Sequence, residues 1–244
     1  MSFQPPNLIY DQDMVREFYN RILKRGTHVL QLQSRPKYGG ERDRIYQRVR
    51  ADCSDFDYFL HKVAQACQVP PDAEASSLVL YSTTNPIDVS KTNLEVTKVL
   101  IDQMADTSSR RILSADRLWF HSAPKHALTK DDDALLTFDV DVKESIGDIM
   151  AILSRFDIKI AEIVETRGGY HIFVERKEVK AKSCKAFIDS LKFLTFVAPA
   201  RDGKMISHQV SSFPKNTLCA IPGTLQGGFP VRLLNPDEFP SLDS

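Results

Sequence analysis

Hydrophobic and polar positions follow a helical spacing in three segments of the first half of the chain. Apolar residues at intervals of three and four predict amphipathic helices over residues 13–24, 55–67 and 93–104. Between the last two, an apolar run over residues 77–84 predicts a buried strand that ends at Asn85-Pro86, a turn pair. Residues 35–40 are rich in turn formers, and the charged segment 122–133 predicts a link to the second half.

The second half has a regular order of elements. The patterns predict a strand, a helix capped by Ser145, two strands joined by a glycine turn, a helix and a strand, over residues 135–142, 145–156, 159–166, 170–176, 182–197 and 218–221. This β-α-β-β-α-β order is the split motif of ferredoxin-like (RRM-like) folds. In that topology the first and third strands are central neighbours, helices cover one face, and the other face is open.

We therefore expect an α+β protein in three segments. Residues 1–76 form an N-terminal helical, partly basic region, and residues 77–133 form an N-terminal α/β module. Residues 134–244 form a ferredoxin/RRM-like unit.

Two carboxylates and a histidine share one face of this predicted unit. Side chains alternate along a strand, so Asp139 and Asp141 point away from the apolar set of their strand. The same argument on the strand over 170–176 places His171 beside them. Two acids so close repel each other, which favours a divalent cation between them. The alternative is an exposed strand end with solvated acids.

The glycine turn lies next to this face. Arg167, Gly168 and Gly169 precede the histidine strand, and glycines let backbone N–H groups approach a phosphate that Arg167 can bind with two hydrogen bonds. The alternative is a plain hairpin turn. Residues 222–228, which include Thr224 and Gln226, are rich in glycine and predict a surface loop.

Charge and composition restrict the partners. The net charge is zero, but residues 16–50 hold ten Lys or Arg against three acids, which indicates either a solvated helical face or a patch that neutralises phosphates. The candidates to bind nucleic acid are Arg35, Lys37, Arg42, Arg44, Arg48 and Arg232. No run of about 18 apolar residues and no secretory signal occur, so we expect no membrane segment. The four widely spaced cysteines favour reduced thiols and an intracellular protein. The spacing of Cys53, His61 and Cys67 fits no common zinc pattern.

Four short motifs, in order, resemble the archaeo-eukaryotic primase (primase–polymerase) superfamily, nearest to the small catalytic subunit of archaeal and eukaryotic primases. They are Y-S-T-T-N-P over residues 81–86, F-D-V-D over 138–141, E-T-R-G-G-Y-H-I-F-V over 165–174, and A-I-P-G-T-L-Q-G-G over 220–228. The resemblance covers roughly residues 77–234.

The resemblance implies a role for each matched residue. Asp139 and Asp141 would hold one or two Mg²⁺ or Mn²⁺ ions that bridge an incoming nucleoside triphosphate and the attacking hydroxyl. His171, with Arg167, Gly168 and Gly169, would contact the triphosphate. The segment 222–228, with Thr224 and Gln226, would line the template or nucleotide cleft.

The chain also departs from the family pattern. The third carboxylate of the family aligns with His208, and the last motif lacks a histidine and a lysine. A neutral imidazole suits Mn²⁺ better than Mg²⁺, so we expect any polymerase or primase activity to be weak and to prefer Mn²⁺.

Three hypotheses follow. The first is a template-dependent nucleotidyltransferase that primes or extends DNA or RNA in replication or repair, with a helicase or a large primase-type subunit as partner. The second is a catalytically weakened relative that binds nucleic acid or nucleotide within a replication or defence complex. The third, ranked last, is an RNA-binding module that stacks bases on Phe173. A rolling-circle initiator is disfavoured because its metal-binding His-x-His is absent.

Overall fold

The computed structural model describes residues 8–23, 26–69, 73–105, 114–141, 143, 146–181, 195–199, 205–209, 211–213 and 218–235. These residues form a mixed α+β fold in which all strand pairs are antiparallel. The helices are α1 Gln12–Arg21, α2 Phe56–Ala66, α3 Val89–Ala105, α4 Ala115–Ser122, α5 Ile146–Arg155 and α6 Arg176–Ala181. The strands are β1 Thr27–Ser34, β2 Arg44–Asp52, β3 Leu78–Thr83, β4 Leu135–Val140, β5 Ile160–Glu165, β6 Tyr170–Glu175, β7 Thr195–Pro199, β8 Met205–Gln209, β9 Ser211–Phe213, β10 Leu218–Ala220, β11 Leu225–Gln226, β12 Phe229–Pro230 and β13 Arg232–Leu234.

The first sheet has four strands in the order β10-β3-β1-β2. Helices α1 and α2 pack on one face through Phe18 and Phe59, which are fully buried with Leu30 and Leu32 of β1. An N-cap aspartate precedes each helix, Asp11 for α1 and Asp55 for α2, and its side chain accepts a backbone N–H. The other face of β1 is covered at one end by α3 and α4.

The expected description of residues 1–76 as helical has to be corrected. Strands β1 and β2 lie within this segment and pair with each other over almost their whole length. Strand β1 also pairs with β3, which belongs to the next predicted segment, so a boundary after residue 76 would cut through one sheet. The backbone groups of these strands satisfy one another across that boundary.

The second sheet has five strands in the order β13-β5-β6-β4-β9. Helix α5 covers one face, where Phe138 and Val140 of β4 pack with Ile172 of β6. The opposite face, expected to be open, is partly covered: Leu135, Val164 and Phe173 belong to the same hydrophobic core as the first sheet. Both faces of this sheet bury apolar side chains. Polar side chains that could bind a ligand meet where the two sheets adjoin.

Two predicted elements of the second half differ from the structure. The strand expected over residues 218–221 is present as β10, but it pairs with β3 of the first sheet, whereas β9 lies beside β4. The helix predicted over residues 182–197 is wrong at its end, because Thr195–Pro199 is a strand paired with β8. Residues 182–194, like Ser145, lie outside the described residues.

Asn85 connects the first sheet to the second. Its side-chain amide donates to Leu135 O at 2.9 Å and accepts from Leu135 N at 2.8 Å, so it pairs with the first residue of β4 as a neighbouring strand would. Asn85 is fully buried, which makes both hydrogen bonds costly to lose.

Among the described residues, no helix is long and apolar enough to cross a membrane.

Candidate metal and nucleotide site

Asp139 and His171 lie directly opposite each other on the neighbouring strands β4 and β6. Residues in this register point to the same face of a sheet. The His171 Nε2 atom is 3.2 Å from Asp139 Oδ1, so the two side chains form an ion pair when the imidazole is protonated. The face predicted from strand alternation is therefore the face on which these two residues meet.

Partial burial and charge set the protonation of this pair. The side chain of Asp139 is 32% exposed and that of His171 is 10% exposed. Burial raises the pKa of Asp139, but the hydrogen bond and charge of His171 outweigh it and hold the pKa below its ordinary value. Burial lowers the pKa of His171, whereas Cys219 and Asp139 raise it, and the net result is a pKa raised to about 10. A carboxylate and an imidazolium are thus the stable forms near neutral pH.

Asp141 follows β4 and is exposed at the rim of the same site. A Cβ atom on Gly168 would lie 3.9 Å from Asp141 Oδ1, so the glycine turn passes directly beside this carboxylate. The structure therefore brings together Asp139, Asp141, His171 and the turn.

A cleft of about 130 Å³ surrounds the two carboxylates at the junction of the sheets. Its lining combines residues of both sheets: Gln33, Arg35, Lys37, Tyr81, Asp139, Asp141, Thr166, His171, Leu218 and Gln226. A larger hollow of about 380 Å³ lies elsewhere, around Arg21 and Lys159, and contains none of the predicted site residues. Acids and cations line both hollows, and we assign the site to the smaller cleft because the predicted residues Asp139, Asp141 and His171 converge there with Arg35 and Lys37.

Arg35 and Lys37 supply the positive charge of the cleft. Both were candidates to bind nucleic acid, and both follow β1 at the edge that meets the second sheet. Arg35 Nε lies 2.8 Å from Asp43 Oδ1, a partly exposed pair, and Lys37 is exposed. Two cations beside two carboxylates suit a ligand that carries both a metal ion and phosphates.

The glycine turn uses most of its polar groups within the protein. Gly169 N donates to Thr166 Oγ1 at 3.2 Å, and Arg167 N donates to Gln226 Oε1 at 2.7 Å. The Arg167 guanidinium donates to Gly227 O at 2.7 Å and lies over the Tyr38 ring, 5.3 Å from its centroid. Arg167 is therefore held away from the lining of the cleft, and its contact with phosphate stays a prediction, as does that of Gly168 and Gly169.

In the loop over residues 222–228, Thr224 stabilises the loop itself and Gln226 lines the cleft. Thr224 is fully buried, and its hydroxyl donates to Ile221 O at 2.6 Å, so it stabilises the loop internally. Gln226 lines the cleft and donates to the Tyr38 hydroxyl at 2.6 Å. Gln226 is thus the residue of this loop that lines the cleft, with both ends of its amide hydrogen-bonded within the protein.

The remaining candidates lie away from the carboxylates. Arg42 and Arg44 line a separate hollow with Glu41 and Glu74, and Arg232 is exposed on the edge strand β13. Arg48 lies on β2 and binds Gln31. The backbone of His208 pairs with Phe196, but its side chain lies outside the described part of the structure, so its role as third ligand stays a prediction.

The donor atoms of the cleft suit a hard cation that arrives with its substrate. In the described residues, no group of three His, Cys, Asp or Glu side chains could hold a metal ion. Two carboxylates without a third protein ligand are enough for Mg²⁺, which proteins commonly bind through one or two carboxylates, waters and substrate phosphates. Asp139 and Asp141 match this pattern. The residues therefore fit a cation bound jointly with a triphosphate better than a tightly held resident ion.

Sequence reasoning missed the residues that reach the cleft from the first sheet. Tyr81 and Gln33 lie on neighbouring strands, and the Tyr38 hydroxyl accepts a hydrogen bond from Gln226. Burial raises the pKa of both tyrosines, so their hydroxyls stay protonated and can donate. Only the packing of one sheet on the other brings them to the carboxylates, and no local motif carries that information.

Comparison with protein-family models, with curated proteins and with solved structures found no match to this chain. The functional assignment therefore depends on the geometry and chemistry of the cleft. Phe173, the residue required by the RNA-binding hypothesis, is fully buried and cannot stack on a base.

Proposed function

We propose that this chain is a primase–polymerase-like nucleotidyltransferase that acts on DNA or RNA through a divalent-metal-bound nucleoside triphosphate in the cleft. The observation that carries the proposal is the convergence of Asp139, Asp141, Arg35 and Lys37 on one cleft. Carboxylates alone would favour a bare cation, and cations alone would favour a bare anion. A metal–triphosphate complex needs both.

Each residue has a defined role in this proposal. Asp139 and Asp141 would provide oxygen ligands for Mg²⁺ or Mn²⁺, which when bound neutralises charge that develops on the phosphates. Arg35 and Lys37, which follow β1 of the first sheet, bind phosphate oxygens. His171 is a positioning residue, since its hydrogen bond keeps Asp139 ionised and oriented.

The strand order supports, within this proposal, a ferredoxin-like unit. The first and third predicted strands, β4 and β6, are neighbours, β5 lies outside β6, and α5 covers one face. In the same proposal the protein works inside the cell on nucleic acid, with a helicase or a large primase-type subunit as partner.

A second candidate is a catalytically weakened relative that binds nucleotide or nucleic acid within a replication or defence complex. Two observations favour it. The described residues supply two carboxylates to the cleft, and the Oδ1 atom of Asp139 already contacts His171. Two carboxylates, one of them already paired with His171, would hold a cation weakly. Such a cation would bind phosphates without activating a hydroxyl efficiently.

Incorporation of labelled nucleotides on primed and unprimed templates separates the two candidates. We expect slow incorporation with Mn²⁺, less with Mg²⁺, none after Asp139→Asn with Asp141→Asn, and an increase after His208→Asp. Binding of triphosphate without incorporation by wild type or His208→Asp, with either metal, would favour the weakened relative. Brisk turnover with Mg²⁺ alone would show that a further carboxylate completes the site.

A further inference from the structure

A row of polar side chains crosses one face of the first sheet and ends at the cleft. Gln31 and Gln33 alternate along β1, and on β2 Arg48 lies opposite Gln31 while Arg50 lies opposite Val29. Residues opposite each other share a face, so Arg50, Arg48, Gln31 and Gln33 all lie on the face of Tyr81, which lines the cleft. Along the chain, Arg35 and Lys37 continue the row to Asp139 and Asp141.

We call Arg50, Arg48, Gln31, Gln33, Arg35 and Lys37 the polar row, and hydrogen bonds connect Arg48, Gln31 and Gln33 within it. Arg48 Nε donates to Gln31 Oε1 at 2.8 Å, and Gln31 Nε2 donates to Gln33 Oε1 at 2.8 Å. Gln33 Nε2 then donates to Asp43 Oδ1 at 3.2 Å, and Asp43 pairs with Arg35. The side chains are therefore held in place before any ligand arrives, which lowers the entropy lost on binding.

The positive charge of the polar row is incompletely neutralised. Arg48 is exposed and, among the residues that the structure describes, it pairs with no carboxylate; its partner is a neutral amide. The acids that pair with Arg50 and Arg35 are Asp116 and Asp43, with side chains 83% and 61% exposed. Such exposed pairs are weak, and phosphates can replace them.

We infer that the polar row is the path by which a single strand of nucleic acid reaches the carboxylates, along its phosphates rather than its bases. Successive side chains on one face of a strand are about 6.7 Å apart, comparable with the spacing of phosphates in an extended strand. From Arg50 to Arg35 the row extends roughly 20 Å, enough for several nucleotides. This inference rests on the proposed function, because the path ends at its site.

The geometry favours one strand over a duplex and over an acidic peptide. The cations form a single row, whereas a duplex presents two lines of phosphates. Tyr81 and Gln31 are buried, so the row offers the guanidinium groups of its arginines, which contact a backbone without reading bases. Continuity with a cleft suited to a metal-bound triphosphate favours nucleic acid over a peptide.

Strand β2 supplies a matched control. A register shift between Leu32 and Gln33 places Arg44 opposite Ser34, on the other face of the sheet from Arg48. Arg44 lies over the Tyr46 ring there, 4.6 Å from its centroid. Arg44→Ala and Arg48→Ala therefore remove the same charge from the same strand on opposite faces.

The experiment measures binding of a fluorescent twelve-residue oligothymidine by anisotropy across a range of salt concentrations, in parallel with binding of Mn²⁺ and a non-hydrolysable nucleoside triphosphate. We expect Arg48→Ala to raise the oligonucleotide Kd about tenfold at low salt. It should reduce the slope of log K against log salt by about 0.7. Arg44→Ala should change Kd less than about twofold, Arg48→Lys should keep most of the affinity, and triphosphate binding should be unchanged in all three.

The outcomes separate the path from the proposed function. Equal losses for Arg44→Ala and Arg48→Ala would overturn the path, as would a duplex or a polyglutamate peptide that binds through Arg48 while oligothymidine does not. A parallel loss of triphosphate affinity in Arg48→Ala would also overturn it. Arg48-dependent binding of oligothymidine without any triphosphate binding would support the path and contradict the proposed function.

Discussion

At the scale of single residues, the pair Asp139 and His171 shows what a sequence can predict of a site. Strand alternation predicts that both side chains share a face, and their register confirms it. Alternation does not predict the burial of His171 or its neighbour Cys219, which comes from β10, a strand of the other sheet. Local pattern thus identifies the residues, and long-range packing sets their chemistry.

The raised pKa of His171 predicts a pH-dependent stability. An imidazole whose folded pKa is about 10 stabilises the fold fully below its unfolded value, about 6.5. That contribution is lost as pH rises from about 6.5 towards 10. The advantage of wild type over His171→Gln in free energy of unfolding should therefore shrink across this window.

Urea denaturation in the presence of a chelator measures this difference. His61→Gln is the control, because His61 is exposed on α2. Parallel pH profiles for wild type and His171→Gln would show that the ion pair with Asp139 does not form.

Gly227 and Gly228 form a second pair of neighbouring residues with different expected effects. Both have positive φ, +57° and +81°, so an alanine is strained at either position. A Cβ on Gly227 would also lie 2.6 Å from a nitrogen of Arg167 and 2.6 Å from Tyr38 Cβ, whereas a Cβ on Gly228 meets open space. Gly228→Ala should cost about 1–2 kcal/mol, and Gly227→Ala about 1–3 kcal/mol more.

Thermal and urea unfolding of both variants test this ordering. Equal destabilisation would mean that Arg167 and Tyr38 move aside without cost. Gly227→Ala should also release Arg167 from its position over the Tyr38 ring, which chemical shifts of that ring would report.

At the scale of elements, the predicted helices α1, α2, α3 and α5 and strands β3 to β6 are present within a few residues of their expected bounds. The sequence pattern did not predict strands β1 and β2. In β1 the polar residues His28 and Gln31 are buried along with the apolar ones, so alternation disappears. Strand β2 is rich in arginine because its outer positions are exposed at a sheet edge, and it resembles a charged surface segment.

Asn85 provides the test of how the elements are joined. Asn85→Ala leaves the buried N–H and C=O of Leu135 without their partner, and each loss costs about 1–3 kcal/mol. We expect a decrease in the free energy of unfolding of about 3 kcal/mol. Asn93→Ala, which removes one hydrogen bond from Trp119, should cost about 1 kcal/mol.

Equilibrium denaturation compares the two variants directly. Similar small effects would show that the link between β3 and β4 does not depend on the side chain of Asn85.

At the scale of the whole molecule, the cleft exists only because two sheets meet. Asp139 and His171 come from the second sheet, and Arg35, Lys37 and Tyr81 from the first. The basic segment and the carboxylate motif are each visible in the sequence, about a hundred residues apart. Their meeting follows from the shared core of Leu30, Phe173 and their neighbours, which no local pattern predicts.

The central claim is that Asp139 and Asp141 bind a divalent cation together with a triphosphate. Calorimetry of Mn²⁺, with and without a non-hydrolysable nucleoside triphosphate, tests it most directly. Asp139→Asn with Asp141→Asn is compared with Asp57→Asn and Asp102→Asn, which remove the same charge from exposed positions on α2 and α3. We predict weak Mn²⁺ binding that tightens at least about tenfold with triphosphate, is lost in the first double variant and is retained in the second. Undiminished Mn²⁺ and triphosphate binding in the Asp139 and Asp141 variant would contradict the claim.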